Sequence, residues 1–500
     1  MNLASDMVNS ARTHPDRSAL RLGDAAVSYR SLDQSSARMA GLLHDRGVQP
    51  GDRVAIMLPN VPEFAIAYFG VLRAGGIVVP MNPLLKSREV AYYLGDSGAR
   101  LLFAWDAVAD EAQRGARQNG ADVVVVSRDG LGPLLAPAPA VDTVADRDED
   151  ETAVILYTSG TTGQPKGAEL THTNLIRNCR VVATELFRLT ADDVIFGGLP
   201  LFHAFGQTCT LNATVTSGAC LTLLPRFDAG KALEIVDEHA VTVFAGVPTV
   251  YGRLVRQPGR DDYDFSRMRV ALVGGAAMPV HVLRDFQAAF DCVVLEGYGL
   301  SETSPVASFN TLQAGARPGS VGTPIPGVEM RVVDNDRGKV AHGETGEIVI
   351  RGHNVMKRYW HRPEETAATI RGGWLHTGDI GRIDQDGYFW IVGRKKDVII
   401  RGGYNVYPRE VEDVLYEHPA VADAAVIGLP NADLGEEVGA AVVLKRGAQA
   451  TAEELREYVK HEVAAYKYPR KVWFVDALPK GPTGKIVKRE IVPPNEPDTR

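Results

Sequence analysis

The sequence predicts an α/β protein with a large amino-terminal domain of parallel α/β subdomains, a small antiparallel β subdomain, and a small α+β domain at the carboxyl end. Two observations carry this. From about residue 50 to 300, short β-branched apolar runs are each closed by glycine or proline and followed by a segment of helical spacing. Continuous apolar runs suit strands buried on both faces, and their alternation with helices indicates parallel βαβ units. From about 320 to 393 the apolar runs are joined by tight turns such as DNDRG and DQDG, which indicates antiparallel pairing.

The elements follow in chain order. DRVAIMLPN (52–60) reads as a strand feeding the helix PEFAIAYFGVLRAGG (62–76), and ETAVILYTSG (151–160) as a strand feeding the helix THTNLIRNCRVVATEL (171–186). RVALVGGAAM (269–278) precedes the helix PVHVLRDFQAAF (279–290), where Pro279 suits a first helical turn and the glycines allow a ligand close to the backbone. The Ala/Pro run LLAPAPA (134–140) is expected to be a surface connection. The antiparallel unit comprises 328–352 and 373–393. Beyond GRKKD (393–397), PREVEDVLYEHP has helical apolar spacing at Val411, Val414 and Leu415. VADAAVIGL and EVGAAVVLK read as strands, and TAEELREYVKHEV opens with a capping box of Thr451 and Glu454. Residues 1–393 are therefore assigned to one domain, 394–397 to a junction and 398–500 to a second.

Composition narrows the chemistry. A formal charge of -8 over 500 residues argues against a generic nucleic-acid binder, which needs surplus Lys and Arg to displace counterions. Cys179, Cys209, Cys220 and Cys292 form no C-x-x-C pair, so neither a disulfide framework nor a structural zinc site is indicated. A reducing cytoplasm fits. The amino terminus lacks the apolar core of a secretory signal, and no stretch approaches the roughly 20 apolar residues of a membrane span. Membrane contact is expected to be peripheral at most.

The chemistry concentrates in YTSGTTGQPKG (157–167), with four aliphatic hydroxyls, three glycines and a lysine after a buried strand. Backbone N–H groups and Oγ donors in such a loop can wrap a polyanion, and phosphate is the natural guest. The loop is not the G-x-x-x-x-G-K-[ST] type, since Gly160 and Gly163 are three apart and Gly167 follows Lys166. No G-x-S-x-G elbow surrounds Ser159, which removes support for a hydrolase.

This loop resembles the signature loop of the acyl-adenylate-forming superfamily, which includes acyl-CoA synthetases, firefly luciferases and adenylation domains of peptide synthetases. Six further blocks similar to the family's follow in its order: LPLFHAFG (199–206), GGAAMP (274–279), GYGLSET (297–303), GWLHTGDIG (373–381), GRKKDVIIRGGYNVYPREVE (393–412) and PKGPTGKIVKRE (479–490). The resemblance implies ATP, magnesium and coenzyme A as reactants and a carboxyl-terminal domain that moves between two half-reactions. Thr158, Ser159, Gly160, Thr161, Thr162 and Lys166 would cradle the β- and γ-phosphates. Glu302, helped by Thr162, would hold magnesium, and Thr303 would contact the α-phosphate. Gly275, Ala276, Ala277 and the ring of Tyr298, with Gly299 beside it, would form the adenine site. Asp379 would take the ribose hydroxyls, and Arg394 the ribose or α-phosphate. His203 would wall the mouth of the acyl pocket. Lys485 would neutralise charge developing on the attacked phosphate, Lys396 would sit at the hinge, and Gly403 would let a pantetheine arm pass. One departure is the Gly481–Pro482 pair where many relatives carry a hydroxyl residue.

The segments expected to line the acyl pocket (202–208, 244–251, 274–276 and 298–306) are almost free of charge. That disfavours a dicarboxylate, whose second charge would be buried unpaired. A medium- or long-chain fatty acid is favoured, with an aryl acid of the coumarate or benzoate type as the alternative. The same motifs would serve an enzyme loading a carrier protein, a luciferase-type oxygenase or an inactive nucleotide-binding module. Coenzyme A is preferred because no carrier segment follows Lys485, and joint retention of Lys166, Glu302, Asp379, Arg394 and Lys485 argues against decay.

Overall fold

A computed structural model describes the chain except residues 128, 159–163, 314, 335–337, 339, 432, 482–485 and 495–500. Two mixed sheets form the bulk of the amino-terminal part. The first has nine strands, and the five from Ser18–Leu22 through Cys220–Leu223, Val194–Gly197, Val243–Gly246 and Val270–Val273 run parallel to the sixth, Val293–Gly299. The second has seven strands, with a parallel core of Thr152–Thr158, Ile77–Pro80, Arg53–Met57, Leu101–Trp105 and Asp122–Val126. Helices such as Pro62–Arg73, whose residues from Phe64 onward are buried, cover these sheets and explain the uninterrupted apolar runs.

A third sheet of five strands, all antiparallel, takes Val328–Val333, Gly346–Gly352, Ile370–Arg371, Trp374–Ile383 and Phe389–Arg394. The DQDG turn closes as expected: Gly387 adopts φ +87° and donates its N–H to the Asp384 carbonyl at 3.1 Å. From Ile399 onward a fourth sheet has its own core, in which Val426, Val438, Ala440 and Val442 pack against Val411 and Leu415 of the helix Pro408–Glu417 and Leu455 and Val459 of Ala452–Glu462. Thr451 Oγ1 accepts the Glu454 N–H at 3.1 Å and the Glu454 carboxylate accepts the Thr451 N–H at 2.7 Å, completing the capping box.

Three local expectations are corrected. YTSGTTGQPKG does not lead from a strand into a helix: Lys166–Thr171 is a strand antiparallel to Thr152–Thr158, so the loop tips a hairpin and the helix begins at His172. Pro279 is the residue preceding the helix Val280–Phe290, with an extended ψ of 129°. LLAPAPA is not wholly superficial, because Leu135 and Ala138 are buried and a Cβ on Gly41 would collide with the Pro139 carbonyl. The first 50 residues, to which no element was assigned, also join the nine-stranded sheet through Leu20, which registers with Leu221. Among the described residues no helix is long and apolar enough to cross a membrane.

Candidate active site

The hairpin, the end of the strand Val293–Gly299 and the short strand Arg358–Tyr359 meet around Glu302. Glu302 Oε1 accepts the Tyr359 hydroxyl at 2.9 Å and Thr158 Oγ1 at 3.3 Å. Lys166 registers opposite Thr158, and its Nζ stands 5.2 Å from the centre of the Tyr359 ring. Burial and then the Glu302 charge push the Tyr359 phenol far up, so it remains a donor. Tyr359 reaches this place because Arg358–Tyr359 pairs with Glu169 and Ala168 on the hairpin, anchored by the Arg358 Nε to Glu169 contact of 2.6 Å. Sequence reasoning missed Tyr359; no block spacing links it to Glu302, and only the far edge of the sheet joins them.

Four residues before Glu302, the Tyr298 hydroxyl donates to Asp379 Oδ2 at 2.6 Å, and Arg394 Nε bonds Asp379 Oδ1 at 3.0 Å. Asp379 and Arg394 face each other across the antiparallel pair Trp374–Ile383 and Phe389–Arg394. Asp379 is only 4% exposed, and burial plus its charge drive the Tyr298 phenol far above its usual range. Beside them Gly275, with φ +80°, and Ala276 are exposed on the loop after Val270–Val273, while Ala277 is half-buried. A Cβ on Gly274 would press on the Phe205 ring at 3.3 Å, so this loop abuts the segment that carries His203. His203 is half-buried and opens its helix, its Nδ1 accepting the Phe205 N–H at 3.2 Å.

Two residues of the GYGLSET block have structural duties. A Cβ on Gly299 would overlap the Pro305 carbonyl, so glycine is required there by packing alone. Thr303 is fully buried and its hydroxyl is committed to Pro305 O at 2.6 Å and the Leu300 N–H at 2.8 Å, so both its donor and an acceptor position are used within the turn. The hydroxyl of this block that stays half-buried beside Glu302 is Ser301, which the sequence reading passed over. Of the other expected groups, Ser159, Gly160, Thr161, Thr162 and Lys485 lie outside the described residues. Lys396 is exposed at the turn Lys395–Asp397, within electrostatic reach of Arg394, Arg489, Asp397 and Asp379. Gly403 sits at φ +85° on an exposed hairpin where a Cβ would meet no atom within 4 Å.

The apolar lining is narrower than the segments suggested. Phe244 and Tyr251 belong to a second buried core, and the Tyr251 hydroxyl is taken by Leu272 O at 2.5 Å. Half-exposed Phe202, Val247, Tyr298 and Leu300 remain at the edge of the main core.

A parallel α/β platform bearing a carboxylate ringed by hydroxyls and a lysine, next to a Tyr–Asp–Arg cluster on a glycine-opened loop, defines an enzyme built for an anionic nucleotide. The family model described as AMP-binding enzyme matches residues 7–360, and that of its C-terminal domain matches 410–485. The chain therefore belongs to the AMP-binding enzyme family, the acyl-adenylate-forming superfamily, and within it to the AMP-forming acid–CoA ligases. It is 38% identical to a long-chain-fatty-acid–CoA ligase of Bacillus subtilis (strain 168), over 98% of this chain and 94% of that one. It is also 38% identical to a feruloyl-CoA synthase of an Amycolatopsis species, over 98% of both. The crystal structure of ATP-bound MatB from Rhodopseudomonas palustris superposes with a TM-score of 0.91 at 35% identity over 98% of each chain.

Proposed function

We propose that this ligase activates an apolar monocarboxylate, a medium- or long-chain fatty acid before an aryl acid, and passes it to coenzyme A. The observation that carries the site assignment is the pairing of two clusters four residues apart on one strand end: Glu302 with Tyr359, Thr158 and Lys166, and Tyr298 with Asp379 and Arg394. In the first half-reaction an oxygen of the acid attacks the α-phosphorus of ATP and pyrophosphate leaves; in the second the thiol sulfur attacks the acyl carbon, AMP leaves and the thiol proton is released. No covalent bond to the protein is needed, so the side chains act by position and charge.

Lys166 and Thr158, with the loop between them, hold the terminal phosphates. Asp379 accepts the ribose hydroxyls when Arg394 swings from it toward phosphate. The exposed Gly275–Ala276 backbone and the Tyr298 ring bracket the adenine. Among the described residues no Lys or Arg forms an ion pair with Glu302, and no three His, Cys, Asp or Glu gather at one point. A lone, hydroxyl-held carboxylate fits a magnesium ion that takes its other ligands from phosphate and water. When bound, that ion supplies charge neutralisation for the departing pyrophosphate.

Lys485 stabilises the phosphate under attack, and rotation about 394–397 then withdraws it and brings Gly403 to the channel for the pantetheine arm. Lys467 and Arg470 are poorly suited to meet coenzyme A phosphates, since Lys467 is held by Glu410 at 2.5 Å and Arg470 lies 3.5 Å above the Tyr468 ring. Four buried free cysteines suit a cytoplasmic setting. The uncharged rim of Phe202, Val247, Tyr298 and Leu300 favours an apolar tail. The test is a panel of acids scored by CoA-dependent AMP release: octanoate or palmitate should exceed coumarate and malonate, and the reverse ranking removes the fatty-acid assignment.

A further inference from the structure

Glu296 ends the apolar run of the strand Val293–Gly299, and the site described above leaves it without a role. It is 2% exposed. Its Oε1 accepts the Met278 N–H at 3.2 Å, and its backbone carbonyl accepts both the Asn310 N–H and Asn310 Nδ2, each at 3.0 Å. Its Oε2 makes no close hydrogen bond among the described residues, and the Gly319 N–H is the other backbone donor that faces the carboxylate. A buried carboxylate oxygen left unpaired is costly, and a strand-forming hydrophobe would avoid the cost.

The surroundings supply a reason to keep it. The carboxylate borders a cavity of about 240 Å³ shared with Gln287, Asn310 and Arg317. Arg317 is already bound by Asp384 at 3.0 Å and Asp386 at 2.7 Å. The charges that act on Glu296 come from the carboxyl-terminal helix Pro408–Glu417: Arg409, which is attractive, and Asp413, which is repulsive and lies 3.4 Å from Arg409. Met278, which Glu296 holds, closes the loop that begins at Gly274.

We propose that Glu296 is a positioning residue for the nucleotide loop 274–278, holding that loop through the Met278 N–H from its buried place on the neighbouring strand. This rests on the assignment of that loop to adenine. Burial pushes the Glu296 carboxyl up to about 7, with Arg409 opposing the rise and Asp413 adding to it. The grip is therefore strongest when the carboxylate is ionised, because the Met278 bond is then charge-assisted. Affinity for the adenosine moiety should rise as pH passes upward through neutrality.

The experiment measures binding of an N-acylsulfamoyl adenosine, whose own charge is constant over the range, to the full-length enzyme from pH 6 to 8.5. Wild type should bind several-fold more tightly at the upper end. Glu296→Gln, which keeps the acceptor and loses the charge, should give a flat profile. Arg409→Met, the second variant should the first misfold, should move the midpoint to higher pH. A wild-type profile in Glu296→Gln, or an unmoved midpoint in Arg409→Met, overturns the proposal. Gly275→Val separates the two levels: if it binds as wild type the nucleotide-loop reading itself falls, whereas lost binding there with an unchanged Glu296→Gln profile removes only the role of Glu296.

Discussion

Replacing Tyr359 by phenylalanine removes one oxygen and little else. The ring, 7% exposed, stays packed in the main core, and its face stays 5.2 Å from Lys166 Nζ. What is lost is the 2.9 Å bond to Glu302 Oε1, leaving only the longer one from Thr158 at 3.3 Å. Hydrogen bonds to charged groups contribute about 1.5–3 kcal/mol. Glu302 is half-buried, so the lower figure applies, which is about a tenfold loss in rate. The assay is acid-dependent exchange of labelled pyrophosphate into ATP at graded magnesium. Exchange should fall about tenfold with a higher magnesium requirement. Thioester formation from a supplied acyl adenylate, which has no β- or γ-phosphate, should change by less than about twofold. Unchanged exchange, or equal loss in both half-reactions, would refute the view that Tyr359 orients Glu302 for the triphosphate.

Two further outcomes are expected. Lys396→Pro, which fixes φ at the turn Lys395–Asp397, should leave exchange intact and stop thioester formation; survival of both half-reactions in stopped-flow assays would mean that rotation there is unnecessary. Glu296 also sets a pH dependence of stability. Its pKa stands at about 7 against a usual 4.5, so the folded state binds an extra proton between those values; stability is full below pH 4.5 and declines as pH rises to 7, by about 3 kcal/mol. Glu296→Gln should therefore gain on wild type in denaturant unfolding at pH 8 relative to pH 5, and parallel curves at both pH values would contradict a neutral buried carboxyl.

Most of the scaffold was legible because its signals are local. Buried parallel strands announce themselves by runs such as VAIM and AVIL, and the Thr451–Glu454 cap and the DQDG turn are spelled within five residues. The strand Lys166–Thr171 was not legible: KGAELT has little β-branching and hides Glu169, whose partner Arg358 is 189 residues away. The pairing of Leu20 with Leu221 is equally remote. Within the site, motif order pointed to Glu302, Asp379 and Arg394, which the fold brings to hydrogen-bonded clusters. Which hydroxyl of SET stays half-buried depends on a single 3-10 turn over Ser301–Thr303, and no periodicity separates Ser301 from Thr303. Tyr359 and Glu296 gain their meaning only from contacts across elements, so both required coordinates.

On the proposed mechanism the Lys485 ammonium group serves adenylation and then withdraws. The most direct measurement is therefore on Lys485→Ala, followed in both half-reactions with an acid that the wild-type enzyme uses. Acid-dependent exchange of labelled pyrophosphate into ATP should be abolished while thioester formation from supplied acyl adenylate persists near the wild-type rate. Equal loss of both steps, or exchange that survives the substitution, would contradict that mechanism.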